Sequence, residues 1–409
     1  MSKVLIIGGG AAGMMAGVHA ARAGHEVHIL EKNEKLGRKL YITGKGRCNV
    51  TNNCGTEELF PAVMSNPKFL YSAFYTYGPQ DVMAFFEDSG VPLKTERGNR
   101  VFPQSDHSSD IIKALERELK KAGAMIHLRT SVRELVCREG KAYGVILTDG
   151  SEMNGDAVIV ATGGYSYQAT GSTGDGYRFA AETGHKVTEL SPSLVPLKTK
   201  EAYIPRLQGL SLKNTGLTIK AGKKVLYQDF GEMMFTHFGV TGPMILSASA
   251  HIGKKMDKGE LKATLDLKPA LSPEQLDARV LREFEAGPNK QFKNVIHVLF
   301  PVSLTPVMLE LGGIPAEKKV HDISREERLH FEEMIKAFPF TITGMGEFKE
   351  AIITRGGVSV KEIEPGTMES RKIKSLYFIG EVLDLDGVTG GFNLQIAWST
   401  AYLAAQAIQ

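Results

Sequence analysis

Residues 4–7, VLII, are apolar without interruption, the pattern of a parallel strand buried on both faces. The run breaks into Gly8-Gly9-Gly10-Ala11-Ala12-Gly13. Small residues then dominate AGMMAGVHAARAG, which predicts a helix ending at Gly24. HEVHIL follows as a second strand with Glu31 at its end. Further on, Ile111, Leu115 and Leu119 fall on one face of a helix in DIIKALERELKKAG. SVRELVC and AYGVILTDG alternate apolar and polar positions and predict a hairpin or meander, after which AVIVATGG (157–164) returns as a buried strand running into glycines. LTIKAG, KKVLYQ and LKATLDL read as strand pieces, and SPEQLDARVLREFEA as a helix whose first turn suits Ser272 and Glu274. Near the C-terminus LYFIG predicts a strand, followed by an acidic loop, Gly390-Gly391 and a helix from about Asn393. Strand, helix, hairpin and returning strand together predict a nucleotide domain with a three-stranded excursion.

The N-terminal segment carries the G-x-G-x-x-G pattern between a strand and a helix, with an acid roughly 20 residues on. Gly8 permits a tight turn, Gly10 lets a pyrophosphate approach the backbone, and Gly13 allows close packing of helix and strand. The helix start, including Ala12, offers free N–H groups to phosphate. Glu31 is placed to accept hydrogen bonds from the adenosine ribose, and its charge disfavours a 2′-phosphate. Ala161, Thr162 and Gly163 follow the returning strand and let the chain pass near a cofactor. At the other end, Gly380, Glu381, Gly390, Gly391, Phe392, Asn393 and Leu394 make a second helix start behind glycines, a place for negative charge or a flavin carbonyl. Glu381 is placed for a ribitol hydroxyl. A single long cofactor held by both ends of the chain favours FAD over NAD. No second G-x-G-x-x-G is present, so NADH or NADPH would act as a transient donor entering through the substrate opening.

Composition narrows the class. The 409 residues suffice for two or three domains at roughly 150 residues each. Hydrophobic residues at 42% and charged residues at 23% are ordinary for a globular protein and exclude a disordered or collagen-like chain. Forty-four glycines exceed the usual roughly 7% and cluster in short strings. No apolar run approaches the roughly 20 residues of a membrane span, and the N-terminal run has no cleavage site, so no membrane partner is expected. Three cysteines, Cys48, Cys54 and Cys137, cannot build a disulfide framework and fit a reducing cytoplasm. No Cys or His spacing indicates a metal site. The net charge of +3 implies no polyanionic partner by itself, but twelve Lys and Arg against six Asp and Glu fall within 195–270. That stretch includes Lys198, Lys200, Arg206, Lys213, Lys220, Lys223 and Lys224. Residues 271–341 carry nine against eleven.

Longer strings are more specific than the glycine fingerprint. GRKLYITGKGRCNVTN (37–52), RVFPQS (100–105), TGSTGDGYRFA (170–180), FTHFGVTGP (235–243), TRGGV (354–358), TMESR (367–371) and GEVLDLDGVTGGFNLQIAW (380–398) occur in this order. By them the chain resembles the BaiN/RdsA family of NAD(P)/FAD-dependent oxidoreductases, the aminoacetone oxidase family of FAD-binding enzymes. The resemblance implies an α/β fold: a glutathione-reductase-like FAD-binding Rossmann domain interrupted by an inserted β-barrel plus helical domain. The FAD domain is expected at 1–194 and 342–409, and the insert at 195–341 with its helical portion at about 271–335.

The resemblance also implies an FAD-dependent oxidoreductase. One substrate is a uridine of 23S ribosomal RNA, reduced to dihydrouridine, with the RNA held by the basic first half of the insert. The alternatives are a small-molecule oxidoreductase, acting on a dehydro-bile acid or an amine, and a non-catalytic flavoprotein. Lys32, Arg38, Lys39, Gly46, Arg47 and Cys48 are expected beside the cofactor, with Lys39, Lys45 and Arg47 facing the flavin's N1–C2 region or a substrate phosphate. Cys48 is a candidate general acid for a double-bond reduction; the alternative is packing beneath the cofactor. Cys48 and Cys54 are spaced C-x5-C, one residue longer than the redox pair of flavin disulfide reductases, which argues against a working pair. His237 in FTHFG is a candidate acid or donor, or else a structural histidine. Asp384 and Asp386 read as loop caps near FAD, with Asp386 counted among the cofactor contacts.

Overall fold

The apolar run at the N-terminus becomes strand β1 (Lys3–Ile7) in the computed structural model, which describes residues 1–256 and 259–409. β1 pairs in parallel on both sides. Val4 lies opposite Val27 of β2 (Glu26–Glu31) and opposite Ala157 of the Ala157–Val160 strand. Leu376–Phe378 and Met125–Leu128 complete a five-stranded parallel sheet in the order Leu376–Phe378, Ala157–Val160, β1, β2, Met125–Leu128. Parallel pairing demands crossovers. Helix α1 (Ala11–Arg22) supplies the first, and helix Ser108–Lys121 leads into the edge strand Met125–Leu128. A three-stranded antiparallel sheet, Val132–Arg138, Lys141–Leu147 and Glu152–Asn154, carries the chain into Ala157–Val160. The edge strand has exposed Met125 and Leu128 flanking half-buried residues, so neither an alternating nor a continuous apolar pattern marked it in the sequence.

α1 packs tightly because its facing residues are small. A Cβ on Gly17 would lie 2.8 Å from Ile29 Cδ1 and 2.9 Å from Leu119 Cδ2. The C-terminal helix Phe392–Ala407 also packs on α1 and is buried along most of its length. Its one polar stripe is satisfied internally: Trp398 Nε1 donates to Val50 O at 2.9 Å, and Gln395 Nε2 donates to Tyr77 O at 3.0 Å.

The chain divides into two compact units, Met1–Ser193 with Glu347–Gln409, and Leu194–Gly346. The second contains a closed barrel of six antiparallel strands in the order Leu197–Thr199, Gly239–Thr241, Lys224–Phe235, Ser211–Ala221, Leu261–Asp266 and Phe338–Met345. Alternation sets its interior: Leu217 and Ile219 are fully buried, while Lys220 points outward. The helices Pro273–Glu285 and Arg325–Lys336 bury Val280, Phe331 and Ile335 with Phe292 and Phe338, in one core with the barrel's interior. Each such side chain contributes about 1.5–3 kcal/mol by leaving water. Helix Pro273–Glu285 starts as a capping box in which Ser272 Oγ accepts from Gln275 N, and Gln275 rather than Glu274 returns the bond. The expected domain boundary at 341/342 falls inside strand Phe338–Met345, whose Met345 still pairs with Leu197, so the barrel continues past it. No helix among the described residues is long and apolar enough to cross a membrane.

Candidate functional site

The glycine turn after β1 has the division of labour the chemistry asks for. Gly8 has φ +105°, and a Cβ there would lie 2.6 Å from Ala161 O, so the turn crosses directly over the end of the neighbouring strand. A Cβ on Gly13 would lie 1.9 Å from Gly8 O, which fixes the closeness of helix and turn. Around Gly10, by contrast, nothing stands within 4 Å of that position. It is the open face of the turn. α1 begins at Gly10 with no side-chain cap and no acidic residue in its first turn, so its leading N–H groups point to that open face. Buried Glu31 braces the turn: Oε2 accepts from Gly9 N at 2.8 Å, and Oε1 accepts from Asn33 N at 2.8 Å and Asn33 Nδ2 at 2.6 Å. An ionised carboxylate has about four acceptor sites, so one remains for a further donor.

The C-terminal residues come to the same turn. A Cβ on Gly380 (φ +70°) would approach Ala12 Cβ to 2.9 Å, and Gly380 N donates to Thr400 Oγ1 at 3.0 Å. Glu381 accepts from Lys39 Nζ at 2.6 Å, from Thr354 N at 3.0 Å and from Ser166 Oγ at 3.2 Å. Lys39 is therefore half of an internal ion pair. Gly391, at φ +100°, caps the terminal helix without a side-chain bond, and a Cβ there would meet Thr51 C and O at 2.4 Å. Asn393 holds the preceding loop by accepting from Gly387 N and donating to Gly387 O, both at 2.9 Å. Phe392 and Leu394 are half-buried beside it. Thr162 Oγ1 and Asn49 Oδ1 are buried with no hydrogen-bond partner. An open phosphate-sized turn, two uncapped helix starts and buried unpartnered polar atoms are a donor and acceptor set that fits FAD.

The other predicted cations are held by neighbouring side chains, and Arg38 joins the Glu31 network through Asn33. Lys32 donates to Thr173 Oγ1 and Asp175 Oδ2, both at 2.6 Å, and Arg38 donates to Asn33 Oδ1 at 2.8 Å. Arg47 pairs with Glu96 and Asp106 and lies 4.2 Å from the Phe102 ring centroid; these carboxylates hold its guanidinium more firmly protonated. Its Gly46 neighbour has φ +83° and an open side. Asp386 is turned into its own loop. It is fully buried and paired with Arg355 Nε at 3.2 Å, so it braces its loop from within.

Of the two readings of Cys48, burial favours packing over an accessible acid. It is 0% exposed. Burial pushes its thiol up to about 12, against a weaker opposing hydrogen bond with Thr43. All three cysteines are free thiols. His237 lies in the second unit, exposed between Phe235 and the Gly239–Thr241 strand, with its ring edge-on to Phe238 at 4.9 Å. Ser166, Thr354, Asn49 and Asn52 were not singled out by sequence reasoning. Asn52 Nδ2 donates to Gly390 O at 3.0 Å, and the signal available for it was its place in GRCNVTN beside the glycine-rich C-terminal string.

A family model described as the HI0933-like protein Rossmann domain matches residues 2–407. The chain belongs to this family. The 3-dehydro-bile acid delta(4,6)-reductase of Clostridium scindens is 33% identical, with 100% of this chain and 99% of the relative covered. The ribosomal RNA dihydrouridine synthase of Haemophilus influenzae is 32% identical over 100% of this chain and 98% of the relative. That of Escherichia coli is 29% identical over 98% and 96%. Among solved structures, the 3-ketosteroid delta1-dehydrogenase of Sterolibacterium denitrificans aligns with a TM-score of 0.56 at 13% identity, covering 99% of this chain and 98% of that one, a likeness of fold. The protein is an FAD-dependent oxidoreductase of the HI0933-like family, with a Rossmann FAD-binding unit and a closed six-stranded barrel.

Proposed function

We propose that this protein reduces a carbon–carbon double bond with electrons from NADH or NADPH, and that its substrate is a uridine of 23S ribosomal RNA, converted to dihydrouridine. Bound FAD supplies the hydride-transfer chemistry that links the nicotinamide donor to the substrate. The chain's own residues hold that cofactor. Gly10 and the N-terminus of α1 receive the pyrophosphate, the remaining acceptor site of Glu31 takes a ribose hydroxyl, and Lys39–Glu381 meets the ribitol. The helix start at Gly391 presents N–H groups to the flavin ring, and Asn49 and Thr162 spend their unpartnered oxygens on the cofactor. Reduction of the double bond adds a proton at the carbon next to the one receiving hydride. His237, which is exposed, is the residue we assign to it, because Cys48 is enclosed. The reading places the protein in the cytoplasm, where ribosomes are and where free thiols persist.

One observation favours RNA over a small molecule. Lys213, Lys220, Lys223 and Lys224 are exposed along the hairpin Ser211–Ala221 and Lys224–Phe235, and none has an ion-pair partner among the described residues. Elsewhere in the second unit Lys200 is neutralised by Glu260 and Arg206 by Glu310. A row of uncompensated cations is the feature that phosphate contacts require. The test is dihydrouridine in digested ribosomal RNA from matched cells with and without the gene, quantified by mass spectrometry. Loss of the modification, restored by the wild-type gene, supports the reading. Unchanged dihydrouridine in a strain with no second enzyme overturns it in favour of a small-molecule substrate, the reading that the full-length likeness to a bile acid reductase supports.

A further inference from the structure

The helical part of the second unit borders an open pocket of about 500 Å³, lined by residues of that unit alone. Its size is within the roughly 300–1,000 Å³ of small-molecule sites. Helix Pro273–Glu285 forms one wall, and the chain around Lys268 and Leu271, Val298 and Leu299, and Ile335 form the rest. The apolar lining is entirely aliphatic. Leu276, Leu299 and Ile335 are buried in it, while Val298 keeps 50% of its surface exposed at the mouth.

Three cations, Lys268, Arg279 and Arg282, stand around this aliphatic floor. Arg279 is shared with Glu283 at 2.7 Å. Neither Lys268 Nζ nor the Arg282 guanidinium has a hydrogen-bond or ion-pair partner among the described residues. Lys268 is half-buried, and its ammonium is disfavoured by that burial and by the charge of Arg279. The nearby carboxylate of Asp266 is engaged by Lys336 at 2.6 Å, so it does not offset them. Two unpaired cations, of which Lys268 is partly desolvated, stand beside a third shared with a carboxylate and create a positive potential that an anion relieves.

The remaining polar groups restrict which anion. Gln275 Oε1 accepts from Ser272 N at 2.9 Å, and the carbonyls of Lys268 and Leu271 accept from Lys336 Nζ at 3.1 and 2.8 Å. The site thus offers cationic donors, committed acceptors and no aromatic ring. A nucleotide or sugar phosphate would bury hydroxyl and amino donors against leucines, with no base-stacking surface in return. A hydrocarbon body suits the floor, and a carboxylate suits a guanidinium.

We propose that this cavity binds a small aliphatic carboxylate, its head held by Lys268, Arg279 and Arg282 and its chain laid on Leu271, Leu276 and Leu299. The test is isothermal titration of the FAD-loaded full chain with decanoate, decanol and inorganic phosphate, with the flavin absorbance spectrum followed in parallel. Decanoate should bind saturably at one per chain, at least about tenfold more tightly than decanol or phosphate, and leave the flavin spectrum unchanged. Arg282→Gln with Lys268→Gln should weaken it at least about tenfold by removing the charge-assisted bonds. Ala278→Trp, a change at an exposed lining position that keeps every cation, should weaken it similarly by filling the cavity. Absence of saturable decanoate binding, equal binding of decanol, or unchanged affinity in both variants would overturn the proposal. So would binding that perturbs the flavin equally in the wild type and the variants, which would place the ligand at the cofactor.

Discussion

Gly10 and Gly13 occupy the same fingerprint but answer to different forces, and alanine separates them. Gly10 is extended, with φ −82° and ψ −166°, and has open space where a Cβ would go. Gly10→Ala should leave the stability of the FAD-free protein within about 0.5 kcal/mol, yet weaken FAD at least about tenfold by standing where phosphate approaches. Gly13→Ala drives a methyl against a carbonyl and should cost about 3 kcal/mol or more. Urea unfolding and FAD titration of both variants check the contrast. Cys48 and His237 separate in the same way. Cys48 should resist iodoacetamide in the native protein, and Cys48→Ser should keep turnover within a few fold, because a fully buried thiol held near 12 neither ionises nor meets substrate. His237→Gln should lower turnover by roughly 10²–10⁴ with FAD content intact, as expected for loss of a proton donor. Equal effects of the two variants would reverse the assignment.

Two ion clusters determine how elements are held. Arg355 and Asp386 join strand Ile353–Arg355 to the loop before the terminal helix, with Asp386 at 0% exposure. Arg355→Met leaves a buried carboxylate uncompensated and should cost about 3–5 kcal/mol in urea unfolding. Between helices Pro273–Glu285 and Arg325–Lys336, Glu332 is pushed up to about 7 by burial and by its hydrogen bond and charge interaction with Asp277, against the pull of Arg328. The sign follows from linkage. Native Glu332 holds its proton more tightly than the unfolded chain, whose value is near 4.5, so its contribution falls as pH rises from about 4.5 to about 7 and is level above. Glu332→Gln should flatten that decline and make the variant more stable than the wild type at pH 8. Thermal unfolding from pH 5 to 8 measures it, and parallel profiles would contradict the assignment.

The distribution of charge belongs to the chain as a unit. Its net +3 conceals the hairpin lysines, which are uncompensated, and other cations of the second unit that have partners. Replacing Lys213, Lys220, Lys223 and Lys224 together with Gln should reduce RNA affinity and lower the slope of log affinity against log salt by roughly 0.7–0.9 for each phosphate no longer neutralised. Reduction of a neutral small substrate should be unaffected. An unchanged salt slope would remove the hairpin from RNA binding.

β1, α1, β2 and the strand at 157–160 were legible because their positions carry local physics: continuous apolar runs for doubly buried strands, glycines where the backbone must turn or approach closely, and an acid at a strand end. Gly390-Gly391 ahead of the terminal helix marked the second half of the proposed cofactor site, while the string 37–52 entered only through the family resemblance. Three outcomes depended on which surfaces the fold closed. Cys48 sits within a site string, but packing encloses it completely. Asp386 lies in an acidic loop, but Arg355, distant along the chain, makes it an internal strut. Lys39 is expected from its string to face the flavin or a phosphate, but long-range folding presses it onto Glu381 at 2.6 Å. Periodicity and spacing act along the chain, whereas burial and charge neutralisation are set by neighbours that arrive from far along the sequence.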